Sequence, residues 1–189
     1  TCIIPAAGKG TRWSPITNYF PKEMLPLLGR PVIDWTILEA INSGCTDIVV
    51  VISKQKEVIR KYLERDSGLE DKVNIKFIYQ AQPLGVAHAM YLSRKFTGDS
   101  PFVVALPDLP TLSRIPVIKQ LVNAFYKDSE NPHVVSFDEF RPEISHLYGE
   151  CFFHFKKTGI LDIIHFCPKQ TDPNTPHHRG NHTRMSGRF

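Results

Sequence analysis

Residues 3–27, IIPAAGKGTRWSPITNYFPKEMLPL, have the residue types of a site for an anionic ligand. The small residues at the start of this stretch are Ala6, Ala7, Gly8 and Gly10. Where side chains are this small, the backbone can approach a charged ligand and offer its N–H groups to it. Arg12 and Lys22 add fixed positive charge. The stretch matches neither the Walker A pattern nor G-x-G-x-x-G, so it predicts a polyphosphate site of a different type.

Two further polar residues come directly after runs that predict buried strands. Asp108 follows PFVVAL, and a carboxylate at the carboxyl end of a strand is a plausible Mg²⁺ ligand. Gln80 follows NIKFIY, and its amide offers both a donor and an acceptor for hydrogen bonds. Gln82, two positions further on, offers the same groups.

Alternating patterns along the chain provide the elements that would position these residues. Apolar runs predict strands at residues 1–5, 47–52, 74–79, 101–106 and 133–137. Helical spacing of apolar residues predicts helices at residues 32–42, 58–63, 86–94 and 117–125. Such repeats imply βαβ units, hence an α/β fold with a mostly parallel central sheet and helices on both faces. Ligands of such sheets bind outside the carboxyl ends of the strands.

The pattern changes after residue 140. ECFFHF and GILDIIHF predict two antiparallel strands around the turn KKTG, and residues 168–188, which are polar and rich in His and Pro, predict a loop. Five side chains in or near this stretch are candidate zinc ligands: His165, Cys167, His177, His178 and His182. Their spacing matches no closed zinc site, so the loop is the preferred interpretation.

Composition narrows the class of protein. The 189 residues are 42% hydrophobic and 22% charged, which suits one globular domain spanning residues 1–189. A net charge of +4 is too weak to indicate nucleic-acid binding, and no apolar run approaches the ~20 residues of a membrane span. The four cysteines form no C-x-x-C pair, which predicts reduced thiols in a cytoplasmic protein.

The motifs AAGKGTR and PKEMLPL together resemble the signature of the sugar-1-phosphate nucleotidyltransferase family. The form PKEML is most similar to that of bacterial UTP–glucose-1-phosphate uridylyltransferases. The resemblance continues through YQAQPLGVAHA, ALPDLPTL, YGE and the terminal GRF, so it covers nearly the whole chain.

This resemblance implies a Rossmann-like nucleotide-diphospho-sugar transferase fold and a reaction that joins UTP and glucose-1-phosphate to give UDP-glucose and pyrophosphate. A phosphate oxygen of the sugar would attack the α-phosphorus of the nucleotide. Because that nucleophile is already ionised, the reaction needs alignment and charge neutralisation rather than a general base. Mg²⁺ would be the cofactor, and a homo-oligomer is possible.

The resemblance also assigns roles to residues. The backbone of Ala6, Ala7 and Gly8 would hold the nucleoside, and Gly10, Thr11 and Arg12 would hold the β- and γ-phosphates. Lys22 would contact the α-phosphate and Asp108 the metal. Gln80 would read the base, because its amide can meet the N3–H and O4 edge of a pyrimidine, with Gly85 letting the ring approach. Gln82 is the alternative for this role. Gly149 and Lys169 would contact the sugar.

The sequence departs from the family pattern in two places. Where relatives carry an EKP-like element, this chain has HFCPK, so the Glu that grips the sugar hydroxyls is missing and Lys169 remains. Relatives also have a second metal-binding Asp beyond GRF, so we expect the domain to be truncated after Phe189. Three alternatives stay open: a thymidylyl- or guanylyltransferase, a non-catalytic regulatory paralogue that binds nucleotide or nucleotide-sugar, and an unrelated mononucleotide-binding α/β protein.

Overall fold

The computed structural model describes residues 1–127, 133–139, 150–155, 161–167, 183–185 and 188–189. Of Arg12 and of the strands between residues 138 and 185, only the backbone is described. Contacts divide the chain into one unit of Thr1–His133 with Gly187–Phe189 and a second unit of Val134–Ser186. A single nucleotide-binding domain over residues 1–189 stays a prediction.

The first unit alternates strands and helices, much as its hydrophobic pattern predicts. Its strands are β1 (Cys2–Pro5), β2 (Pro26–Leu27), β3 (Arg30–Pro31), β4 (Asp47–Ile52), β5 (Asn74–Tyr79) and β6 (Val103–Val104). Its α-helices are α1 (Val32–Asn42), α2 (Glu57–Arg65), α3 (Val86–Thr97) and α4 (Val117–Lys127). Short 3₁₀ helices lie at Thr11–Trp13, Ile16–Asn18, Lys22–Met24 and Lys54–Lys56. Within the described ranges, no helix has the length and apolar character that crossing a membrane requires.

Four parallel strands form the central sheet, in the order β5–β4–β1–β6. Val50 of β4 pairs on one side with Ile4 of β1 and on the other with Phe77 of β5. Because all four strands run the same way, their carboxyl ends lie at one edge of the sheet. The mostly parallel sheet predicted from the sequence is confirmed.

The strand predicted at residues 101–106 is shorter than expected. Only Val103 and Val104 pair with β1, and Ala105 forms an antiparallel bridge with Arg188. The N–H of Phe189 donates to the carbonyl of Val104 at 3.0 Å. The terminal residues of the chain therefore cover the β6 edge of the sheet, which would otherwise present unpaired backbone groups.

Helices cover both faces of the sheet, as predicted. On one face, alternate strand residues such as Ile4 and Val50 pack with the apolar side chains of α1, α2 and α4. On the other face, Ile3, Val49 and Val51 pack with α3. Successive side chains of a strand point to opposite faces, so burial of both faces explains why β1 and β4 are continuous apolar runs, whereas β5 at the edge of the sheet also carries exposed residues.

The second unit contains four described strands, β7 (Phe137–Glu139), β8 (Glu150–Phe155), β9 (Leu161–Cys167) and β10 (Thr183–Met185). The antiparallel pairing of β8 with β9 confirms the prediction for ECFFHF and GILDIIHF. Two other predictions were wrong in part. The strand expected at residues 133–137 begins only at Phe137, and β10 lies within the stretch predicted to be a loop. Pairing between β7 and β10 decides both outcomes, because a polar segment becomes a strand where a partner strand lies beside it.

Candidate active site

The front loop, residues 6–25, leaves β1 at the carboxyl edge of the sheet. Ala6 still belongs to the ladder, because its N–H donates to the carbonyl of Val51 at 2.7 Å. Beyond it, the six N–H groups of residues 7–12 have no hydrogen-bond partner in the described part of the chain. Successive unpaired N–H groups carry partial positive charge and need acceptors, so this row can bind an anion.

Gly10 determines the path of the front loop. Its φ of +69° lies in the left-handed region, and a Cβ placed there would approach Cγ2 of Thr17 to 3.1 Å. The hydroxyl of Thr17 donates to the carbonyl of Gly10 at 2.8 Å, which closes the loop on itself. The backbone of Thr11 and Arg12 lies in the 3₁₀ helix that begins directly after Gly10. The side chain of Arg12 lies outside the description.

Lys22 and Asp108, which are 86 positions apart, meet at this edge. The Lys22 ammonium donates to Oδ2 of Asp108 at 2.5 Å, and the two side chains are 19% and 32% exposed. The other carboxylate oxygen of Asp108 has no partner among the described residues. The structure thus joins the cation of the front loop to the carboxylate that follows β6.

A second ion pair, absent from our sequence-based assignments, lies beneath the front loop. The Lys56 ammonium donates to both carboxylate oxygens of Glu23, at 2.8 and 2.7 Å, and to the carbonyl of Ala6 at 2.9 Å. Glu23 is 1% exposed and Lys56 is 7% exposed. Because Glu23 is the neighbour of Lys22, this pair fixes the short helix that presents the Lys22 side chain.

Burial lowers the pKa of Lys56, although its attraction to Glu23 acts in the opposite direction. A buried lysine favours its neutral form unless a carboxylate compensates it, and here the compensating carboxylate accepts two of its three hydrogen bonds. The signal that could have identified this residue was its position, four residues beyond the carboxyl end of the buried strand β4.

A third ion pair lies beneath the loop that carries Asp108. Arg188, fully buried, donates from Nε and Nη2 to Oε2 of Glu39 at 3.0 and 2.7 Å. Arg188 also donates from Nη1 to the carbonyl of Leu106 at 3.1 Å. The terminal GRF motif carried part of the family resemblance, yet neither its arginine nor Glu39 was assigned a role from sequence.

Gln80 is 5% exposed at the end of β5. Its amide nitrogen lies 3.1 Å from the carbonyl of Gly85 and 2.9 Å from Nδ1 of His88. A carbonyl only accepts, so the nitrogen of Gln80 must face Gly85, and the ring nitrogen of His88 is then an acceptor too. Both amide protons are therefore used within the protein, and among the described residues the amide oxygen has no partner.

Gly85 makes this arrangement possible. Its φ of 90° with ψ of −177° is a conformation that other residues rarely adopt, and α3 begins at the next residue. The alternative base-reading residue, Gln82, is exposed, and its described hydrogen bond is a backbone one from Leu84 at 2.8 Å. Of the two glutamines, Gln80 is therefore the one whose side-chain amide is held in a fixed orientation.

Several predicted site residues lie outside the described ranges. These are Gly149 and Lys169, assigned to the sugar, and three members of the His-rich segment, His177, His178 and His182. Of His165 and Cys167 only the backbone in β9 is described. Within the described ranges, no group of three or more His, Cys, Asp or Glu could hold a metal ion.

Comparisons with known proteins give the family context. A family model described as nucleotidyl transferase matches residues 1–174. A UTP–glucose-1-phosphate uridylyltransferase of Staphylococcus haemolyticus is 35% identical over 166 residues, which are 78% of this chain and 57% of the relative. The enzyme of the same name from Bacillus subtilis is 34% identical over 194 residues, 91% of this chain and 66% of the relative.

Among solved structures, a UDP-glucose pyrophosphorylase complexed with UDP-glucose superposes with a TM-score of 0.83 at 28% identity. The match covers 99% of this chain and 73% of that one. This chain thus spans between 57% and 66% of the length of the two curated relatives.

Proposed function

Because the chain belongs to the nucleotidyl transferase family, we propose that it joins UTP and glucose-1-phosphate to give UDP-glucose and pyrophosphate. Relatives named for this reaction, at 34% and 35% identity, support the choice of substrates. The separated cysteines fit a protein of the reducing cytoplasm. The sugar phosphate is assigned to Gly149 and Lys169 on the family resemblance alone.

The observation that carries this proposal is the row of unpaired N–H groups at residues 7–12. A triphosphate brings several anionic oxygens, and each N–H that meets one forms a charge-assisted hydrogen bond. In our proposal, the backbone of Ala7 and Gly8 faces the nucleoside end, and Gly10, Thr11 and Arg12 face the β- and γ-phosphates. The N–H of Ala6 already donates to the carbonyl of Val51, so Ala6 positions the start of this row rather than donating to the ligand.

Lys22 and Asp108 act on the α-phosphate side of the site. Lys22 offers its charge to the phosphate oxygens, whose negative charge grows as the sugar phosphate attacks. Asp108 has one carboxylate oxygen without a partner in the described part of the chain, and an oxygen donor of this kind suits Mg²⁺, which usually takes one or two carboxylates plus substrate phosphates. Bound there, the ion would neutralise phosphate charge. The ion pair between Lys22 and Asp108 keeps both side chains in position for these two roles.

Gln80 selects the base in this proposal through its oxygen alone. Uracil carries a proton on N3 that the amide oxygen can accept, whereas N3 of cytosine is itself an acceptor and would face the oxygen unpaired. The same argument admits thymine, which shares the N3–H group. A thymidylyltransferase is therefore the second candidate, because the amide oxygen of Gln80 can accept the N3–H of either base.

The test is release of pyrophosphate from the full-length protein with Mg²⁺, glucose-1-phosphate or one of several other sugar-1-phosphates, and each of UTP, dTTP and CTP. We expect turnover with UTP to exceed turnover with dTTP, and almost none with CTP. Nucleotide binding without turnover for any sugar-1-phosphate would instead identify a regulatory paralogue.

Variants of Lys22 and Asp108 test whether the reaction takes place at this site. Lys22→Ala removes a charge-assisted contact, so UTP affinity should fall at least about tenfold. Asp108→Asn should lower turnover by about two orders of magnitude or more, while the midpoint of thermal unfolding hardly changes. Lys54→Ala is the matched control, because Lys54 is an exposed cation of the same edge and its loss changes the net charge equally. Equal UTP affinity in Lys22→Ala and Lys54→Ala would contradict the proposal.

A further inference from the structure

The loop that carries Asp108, residues 106–115, contains no helix or strand, and apart from a turn at Pro107–Asp108 no backbone hydrogen bond is described for it. Pro107 and Pro110 flank Asp108 and have no N–H to donate. A segment of this length with so little backbone pairing has many accessible conformations, so other contacts must order it. Its order therefore depends on bonds that involve side chains.

Two of those bonds bracket Asp108 and lead to the same buried ion pair. Before Asp108, the carbonyl of Leu106 accepts from Nη1 of Arg188 at 3.1 Å. After it, the hydroxyl of Thr111 donates to Oε2 of Glu39 at 2.9 Å. Glu39 and Arg188 are themselves joined at 2.7 and 3.0 Å. Both ends of the short segment that contains the carboxylate are thus tied to one point.

The ion pair between Glu39 and Arg188 is itself held rigidly. Glu39 lies on α1 and is 9% exposed, and its second oxygen accepts the N–H of Ile118 at the start of α4, at 3.1 Å. Arg188 is fully buried, and its backbone bridges Ala105 at the edge of the sheet. A buried pair whose polar atoms all have partners is held in one geometry, because any displacement leaves a charge without compensation.

We propose that Glu39 and Arg188 are positioning residues for Asp108: they hold its loop so that the carboxylate stays beside Lys22. This inference rests on the proposed function, because it concerns the carboxylate assigned there to the metal and phosphates. Neither residue touches the substrate. Their effect passes through Leu106 and Thr111 to the segment between them.

The experiment uses the full-length protein and Mn²⁺ as the probe, with the signal of free Mn²⁺ in electron paramagnetic resonance as the readout. Mn²⁺ is titrated into protein saturated with UTP, and UTP affinity is measured separately in EDTA. Thr111→Val removes the hydroxyl and keeps the shape of the side chain. We expect its half-saturating Mn²⁺ concentration to rise about threefold to tenfold, less than the full free energy of a hydrogen bond to a charged group, because Leu106 still ties the other end of the segment to Arg188. Its UTP affinity in EDTA should stay unchanged.

Two controls separate positioning from general stability. Thr111→Ser restores the hydroxyl and should return the Mn²⁺ titration to within about twofold of the native protein. Asp34→Asn alters another buried carboxylate of α1, one that bonds to Tyr62 rather than to the Asp108 loop. It should change thermal stability without moving the Mn²⁺ titration. Glu39→Gln should behave as Thr111→Val does, with a larger shift.

The outcomes are distinct. Unchanged Mn²⁺ titrations in Thr111→Val and Glu39→Gln, with native UTP binding, would overturn the positioning role and leave the proposed function intact. A shift in Asp34→Asn as large as that in Thr111→Val would also overturn it, since any loss of stability would then suffice. Native protein that binds no UTP, with or without Mn²⁺, would overturn the proposed function and this inference with it.

Discussion

The two sides of the candidate site rest on two buried ion pairs that differ in what depends on them. Beneath the front loop, Lys56 and Glu23 bond mainly to each other, and the carbonyl of Ala6 is the one further described partner of the ammonium. Beneath the Asp108 loop, Glu39 and Arg188 also bond to groups of three further described residues: Leu106 and Thr111 of that loop and Ile118 of α4. We call these the front pair and the hub pair.

This difference separates two uses of buried charge. The front pair can be replaced with little loss, because a pair that satisfies mainly itself gains little net free energy from being charged. The hub pair cannot, because its removal leaves other buried polar groups without partners. The contrast extends to proton binding, since lysine can lose its proton when buried and arginine keeps its own.

The largest expected loss of stability comes from breaking the hub pair. Arg188→Met leaves Glu39 as a buried uncompensated charge and the carbonyl of Leu106 without its donor. The free energy of unfolding should fall by about 3–5 kcal/mol or more. Urea denaturation followed by circular dichroism measures this. The double variant Glu39→Met/Arg188→Met should recover little, because Thr111 and Ile118 then lose their acceptor.

Breaking the front pair should cost somewhat less and should be repairable. Lys56→Met leaves Glu23 unpaired at 1% exposure, so we expect a loss of about 3 kcal/mol in the same assay. Lys54→Met, on the exposed lysine two positions earlier, is the matched control and should stay within about 0.5 kcal/mol of the native protein.

The double variant Lys56→Met/Glu23→Met sharpens the comparison. It replaces the front pair with apolar side chains of similar volume, and should recover most of the loss seen in Lys56→Met. Equal recovery in the front and hub double variants would show that the two pairs do not differ in the way described.

A smaller effect is expected at Gly10, where the front loop depends on backbone conformation rather than on charge. Gly10→Ala places a Cβ 3.1 Å from Thr17 at a φ of +69°, so stability should fall by about 1–2 kcal/mol. UTP affinity should fall with it, since the N–H groups of residues 7–12 would be displaced. Gly8→Ala is the control for stability, because a Cβ there meets nothing within 4 Å. Native stability in Gly10→Ala would show that the loop adapts without cost.

The smallest effect concerns pH and distinguishes lysine from arginine. Burial lowers the pKa of Lys56 in the folded protein below its ordinary value of 10.5. At pH values between the lowered pKa and 10.5, the unfolded chain therefore binds more protons than the folded one. Stability contributed by Lys56 therefore rises with pH across that window. We expect the difference in unfolding free energy between native protein and Lys56→Met to grow as pH rises towards 10.5. The corresponding difference for Arg188→Met should stay flat, and a falling curve for Lys56→Met would mean that Glu23 outweighs burial.

The sequence by itself determined the sheet and the edge at which the site lies. Strands buried on both faces must be continuous apolar runs, and the runs at β1 and β4 are visible without any partner. Parallel strands carry their ligands at their carboxyl ends, so the front loop, Gln80 and Asp108 could be assigned to one edge from chain order alone. The pairing of β8 with β9 followed from alternation around a short turn in the same way.

Tertiary structure alone decided which polar groups meet. Glu39 and Arg188 are 149 positions apart, and a glutamate on an amphipathic helix has the same sequence pattern whether it faces water or a buried arginine. Strand β10 and the orientation of the Gln80 amide likewise depend on neighbours that no local pattern specifies. The physical reason is that apolar burial has no direction and so shows in periodicity, whereas a hydrogen bond requires one particular partner at one distance and angle.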